Sequence, residues 1–158
     1  MSFPLGYKPD GYEVLARFRR LYDQRDQGIV LASMEIPSAA LNEVSLKHPI
    51  GFCDYPDPRE RARFWDARFL EKINVRDDSI PGAYLSEMDQ GLYGGLLGGD
   101  VRFMCHPQTG WISSMVPPLL ADWSQFDALG FDESQPWWKR YIGQLELFLQ
   151  QSAGKWGI

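Results

Sequence analysis

Cys53 and Cys105 are the only thiols in the chain, too few for a disulfide framework. No uninterrupted apolar run approaches the ~18 residues that cross a bilayer, so no membrane contact is expected. Basic residues are not in excess either. The net charge of -5 argues against a nucleic-acid partner, which needs a basic face. The densest basic group, Arg17, Arg19 and Arg20, falls on a predicted helix and reads as a solvated face. The glycine-dense stretch lacks the Gly-Lys-Ser/Thr ending of a phosphate loop, and Gly94-Gly-x-x-Gly98 is not a dinucleotide fingerprint. Internal repeats and low-complexity segments are missing. The N-terminus has no apolar signal-peptide core, so a cytoplasmic location is expected.

The 158 residues that remain are ordinary for a globular chain, with 44% apolar and 23% charged residues. They suggest one α/β domain from residue 11 to 158 after a loose leader over 1–10. Aromatic content is high at 14%, with six tryptophans. Tyr84, Trp111, Trp137 and Trp138 are candidates to line a cleft, although large aromatics more often fill cores.

Periodicity predicts a helix from Gly11 to about Gln27, with Val14, Leu15, Phe18, Leu21 and Tyr22 on its buried stripe and Gly28 as its cap. Ile29–Ile36 reads as a buried strand ending at Pro37, and residues 37–56 read as irregular. Asp57-Pro58-Arg59-Glu60 is a helix start, with an N-cap Asp, Pro in the first turn and Glu three residues on. That helix carries Ala62, Trp65, Phe69 and Ile73 on one face. Ile80–Leu85 is a second candidate strand. Gly94-Gly95 and Gly98-Gly99 weaken any helix by ~1 kcal/mol each, so they read as close backbone packing. Two short strands, Val101–Met104 and Trp111–Val116, flank a Pro-Gln-Thr-Gly turn, and Asp122–Leu129 reads as a short helical turn. A long helix then runs from Pro136 to Gly154. Lys155–Ile158 reads as the opening of a further strand, which suggests a truncated chain. Alternating strands and helices imply helices packed on a parallel or mixed sheet.

Ile80–Pro118 gathers the most chemistry: Glu87 and Asp89 after an apolar run, the glycines, and the adjacent pair Cys105-His106. Zinc at Cys105-His106, helped by Cys53 and His48, is disfavoured by spacing. Cys–His nucleophilic catalysis is disfavoured because neighbours on a strand face opposite sides.

Tyr84-Leu-Ser-Glu87, Gly94-Gly-Leu-Leu-Gly-Gly-Asp-Val-Arg-Phe103, Val116-Pro-Pro with Asp122–Leu129, and Phe131-Asp leading to Pro136-Trp-Trp occur in that order. This order resembles the N-terminal portion of the uroporphyrinogen decarboxylase-like superfamily, which includes the decarboxylase (a lyase) and corrinoid-linked methyltransferases. The resemblance implies a partial (β/α)8 TIM barrel. It also implies that Glu87 matches a catalytic aspartate at the mouth, with Asp89 beside it and Tyr84 and Ser86 toward a small-molecule substrate. The family's decarboxylases place paired arginines after the first strand, and Ser33–Leu41 has none. Methyl transfer, or an unassigned reaction, is therefore expected rather than porphyrinogen decarboxylation. Zinc or a corrinoid partner would belong to a full-length parent, its ligands mostly beyond residue 158. A partial barrel would be inactive alone and would self-associate through exposed sheet edges. A non-catalytic binding domain is the alternative. A carbohydrate-active fragment is a third reading and rests on tryptophan content alone.

Overall fold

Asp57 starts a helix as its sequence predicts. Its side chain accepts a hydrogen bond from the Arg59 N–H, Pro58 fills the first turn, and α3 runs Pro58–Glu71. In the computed structural model, which describes residues 4–24, 28–48, 51–88, 90–106 and 111–158, the other elements arrange around this helix. They are α1 (Gly11–Tyr22), α2 (Ala39–Lys47), β1 (Gly51–Cys53), α4 (Gln90–Leu96), β2 (Arg102–His106), β3 (Trp111–Met115) and α5 (Pro136–Ser152). 3₁₀ turns cover Ser86–Met88 and Trp123–Ala128, the latter capped by Asp122 as expected.

The architecture is mixed α/β, but the sheet is not the parallel or mixed one expected. Among the described residues it has three strands in the order β1-β2-β3, and both pairings are antiparallel. For β2 and β3 the physical reason is connection length: four residues join them, enough for a hairpin and far too few for a parallel crossover. Ile29–Ile36 also departs from expectation. It is extended but joins no ladder, and Val30 is 85% exposed where a buried strand was predicted. The parallel contact present is an isolated bridge between Gly82 and Gly157. There the Ala83 N–H donates to the Gly157 carbonyl and the Gly157 N–H to the Pro81 carbonyl, each at 2.8 Å.

α1 ends at Tyr22, before Gly28, because Gln24 takes a left-handed φ of 55° and turns the chain. Of its predicted stripe only Val14 is buried, while Leu15, Leu21 and Tyr22 are exposed. α2 fills part of the stretch read as irregular. Its start is capped by the Ser38 hydroxyl, which accepts from the Leu41 N–H at 3.0 Å. Residues 4–10 are tied down rather than loose: the Gly6 and Tyr7 N–H groups donate to the Gly154 and Lys155 carbonyls, and Lys8 is buried.

Among the described residues, three apolar clusters form the core. Ala62, Ala83, Phe148 and Trp156 join α3, α5 and the two segments bridged at Gly82 and Gly157. Ala40, Val44 and Phe64 join α2 to α3, while Phe103, Cys105 and Ile112 sit under the sheet with Trp137. Phe148 and Ile112 are fully buried, each worth ~2–3 kcal/mol of transfer free energy. The glycine stretch packs closely, as its composition suggests. A Cβ on Gly91 would lie 2.6 Å from the Ser114 hydroxyl, and one on Gly95 would lie 2.7 Å from a Val101 methyl.

Two carboxylates tie distant segments together. Asp66 accepts from Lys155 at 2.6 Å, from the Trp156 indole at 3.0 Å and from the Tyr7 hydroxyl at 3.3 Å. Asp77 is ion-paired with Lys8 at 3.1 Å and Lys72 at 3.2 Å, and accepts from the Met34 N–H and the Ser79 hydroxyl. Burial alone would push the Asp77 carboxyl up. The Met34 and Ser79 hydrogen bonds and the two lysines outweigh it and hold the group well below the usual carboxylate range. A depressed folded-state value means that this stability is present above the unfolded value of ~3.9 and is lost as pH falls below it. Thermal melts from pH 6 downward are expected to lose stability through that window. Asp77→Ala should cost about 3 kcal/mol near neutral pH and flatten the acid-side loss.

Candidate functional site

Glu87 follows the extended segment that begins at Ile80, and the 3₁₀ turn Ser86–Met88 swings it under α3 and α5. Its side chain is 0% exposed, so no substrate touches the carboxylate in this arrangement. Arg61 of α3 lies opposite, with Nε 3.7 Å from Oε2, and its side chain is 2% exposed. That separation makes an ion pair without a hydrogen bond. None of the three guanidinium nitrogens finds an acceptor among the described residues. The guanidinium is instead laid over the Phe64 ring at 4.6 Å and lies 5.9 Å from the Trp65 ring. Burial pulls Arg61 down from its ordinary value and the Glu87 charge opposes this, so it remains a cation.

Two further side chains complete a line of polar groups through the core. The Gln144 amide of α5 donates to Glu87 Oε1 in a short hydrogen bond. Its carbonyl oxygen accepts from the Tyr55 hydroxyl at 3.0 Å. Tyr55 is half-buried, and burial, helped by the Glu87 charge, pushes its hydroxyl up to about 12. Tyr55 in turn borders a cleft of about 370 Å³ between the β1–β2 edge and the start of α5. The line Arg61–Glu87–Gln144–Tyr55 thus connects a buried ion pair to a solvent-facing cavity.

The predicted site residues do not converge. Tyr84 is 48% exposed while Glu87 is buried, so the two face different surroundings. Ser86 lies in the same turn as Glu87, and Asp89 lies outside the described residues. Arg61, Gln144 and Tyr55 were not anticipated. Two left a trace in the sequence: Arg61 precedes Phe64 and Trp65 by three and four residues, and Gln144 precedes Phe148 by four, so each sits within an apolar helical stripe.

Cys105 and His106 face opposite sides of β2, the first buried and the second exposed. Cys53 packs against the cluster that holds Cys105. Burial pushes both thiols up, so neither is a ready thiolate for attack or metal binding. No group of three or more His, Cys, Asp or Glu among the described residues is placed to hold a metal ion. Nor is any described helix long and apolar enough to cross a membrane. No protein-family model matches the chain, and no curated protein or solved structure is significantly similar to it.

Truncating Glu87 strands a buried cation, so Glu87→Ala is expected to cost ~3–5 kcal/mol in urea unfolding. Arg61→Met combined with Glu87→Met should lose clearly less than the two single losses summed. Strict additivity would show that the pair is not coupled.

Proposed function

We propose that this chain contributes the first strand–helix steps of a (β/α)8 barrel of the uroporphyrinogen decarboxylase-like kind. The parent reaction in this reading is methyl transfer, or another reaction on a small substrate, and the chain alone is inactive. The observation that carries the reading is the side-by-side placement of three extended segments, each delivered by a helix. The Asp78 N–H donates to the Ala32 carbonyl at 2.8 Å, so the second segment begins beside the first. Gly82 and Gly157 then bridge in parallel, which aligns the second with the third. A first segment with unladdered backbone and with Val30 and Met34 exposed is what a barrel strand is before its neighbours join it. Eight strands close such a barrel, and these three cannot. Two free thiols are in keeping with a reducing, cytoplasmic setting.

In this reading Glu87 is the acid at the end of the second strand. The burial of that carboxylate favours a second reading, a binding module without chemistry in which the Arg61–Glu87 pair only holds elements together. The two readings part in solution. Open strand edges make the barrel portion self-associate, with a light-scattering mass that rises with concentration during size-exclusion chromatography. A monomer mass constant across the concentration series sinks the barrel reading and leaves the binding module.

A further inference from the structure

The cleft beside Tyr55 has a guanidinium that the fold does not use. Tyr55, Phe103 and Trp137 pack edge-on or tilted with ring centroids 5.4–5.8 Å apart and form one aromatic wall. Arg140, one turn further along α5 than Trp137, lies 4.5 Å from the Trp137 ring and 5.0 Å from the Tyr55 ring. Nothing else holds it: no hydrogen bond or ion pair to Arg140 is made among the described residues. It is exposed, so its donors face the cavity and water rather than a protein acceptor. Arg102, on the facing strand, is by contrast already engaged by Asp100 at 3.1 Å.

A guanidinium resting on two rings loses part of its rotamer freedom while keeping its N–H fork open. That is the arrangement that grips a carboxylate with two parallel hydrogen bonds. The adjoining wall offers the rings of Tyr55 and Trp137, and Phe52 of edge strand β1 also lines the cleft. A volume of about 370 Å³ falls within the range that small ligands occupy. Asp54 is the one carboxylate in the lining. It disfavours negative charge on its side of the cleft and so selects a ligand with a single anionic end.

The geometry points to a binding site for a small planar aromatic monocarboxylate, its carboxylate on Arg140 and its ring against Tyr55 and Trp137. This site stands apart from the barrel reading, since it needs only the residues named. It also lies at the open end of the Tyr55–Gln144–Glu87 line.

Benzoate is the probe, titrated into the intact chain by calorimetry and followed by tryptophan fluorescence. A dissociation constant of roughly 1 mM or tighter is expected, ordinary for a fragment of this size. Arg140→Gln should weaken binding by about tenfold or more, and Arg140→Lys should fall short of the native chain because a lysine lacks the planar fork. Arg19→Gln on α1, which does not line the cleft, should leave binding unchanged. Arg140 is exposed, so circular dichroism should find these variants folded. The proposal is overturned if benzoate does not bind, or if it binds Arg140→Gln as well as the native chain. Equal binding of benzamide overturns the anionic requirement, and equal binding of cyclohexanecarboxylate overturns the aromatic one.

Discussion

The Arg61–Glu87 ion pair is the constraint on which the arrangement of the elements depends. A buried charge is tolerated only beside its opposite, so α3 and the turn after Leu85 must meet where these side chains meet. Gln144 extends the requirement to α5, because its amide is buried and bonds to Glu87 on one side and Tyr55 on the other. Three elements far apart in sequence are thereby fixed in register by one small group of polar atoms. Apolar packing alone tolerates sliding among neighbours of similar volume. A charge pair with one partner on each element does not.

The cost of this constraint is visible in Arg61. Its guanidinium meets Glu87 at ion-pair distance and finds no hydrogen-bond acceptor among the described residues. Burial therefore opposes the charge, and the faces of Phe64 and Trp65 supply part of what water would have given. Asp66 and Asp77 follow a different logic. Each collects several donors, so each is satisfied, and each draws a segment without regular structure onto α3 or the residues after it. The core of the chain is thus specified by an ion pair whose cation lacks hydrogen-bond acceptors among the described residues and by two carboxylates that each collect several donors.

What the sequence discloses follows from how local the physics is. The start of α3 needs only Asp57 and Pro58, and the end of α5 needs only Gly154, whose φ of 70° suits the residue that leaves a helix. Both were legible for that reason. The glycine contacts were legible as packing because no phosphate-binding pattern accompanied them. Strand direction was legible only where a short connection forces it, between β2 and β3; the pairing of β1 was not, since residues 37–56 read as irregular and short apolar runs look alike in parallel and antiparallel sheets. The exposure of Ile29–Ile36 escaped notice for a related reason: its composition records the burial of a paired strand, whereas its surroundings here provide no ladder. α2 was hidden behind Pro37 and betrayed only by Ser38 and the spacing of Ala40 and Val44.

The candidate site shifts accordingly. An acid at a strand end looks like a group waiting for substrate, and Glu87 is such an acid by position, yet its nearest partners are Arg61 and Gln144 rather than solvent. A carboxylate in that setting acts on the outside only through what it holds. Here it holds Gln144, which fixes the Tyr55 hydroxyl, and Tyr55 with Trp137 fixes Arg140 at the rim of the cleft. Each step is a contact between two side chains, and each narrows the freedom of the next. A ring that must stay in place to hold a guanidinium is better anchored by a hydrogen bond than by packing alone, because the bond fixes rotation in the plane of the ring as well as its position. The buried ion pair therefore has a consequence at the surface: through Gln144 it holds the hydroxyl end of Tyr55, one of the two rings on which the free cation rests.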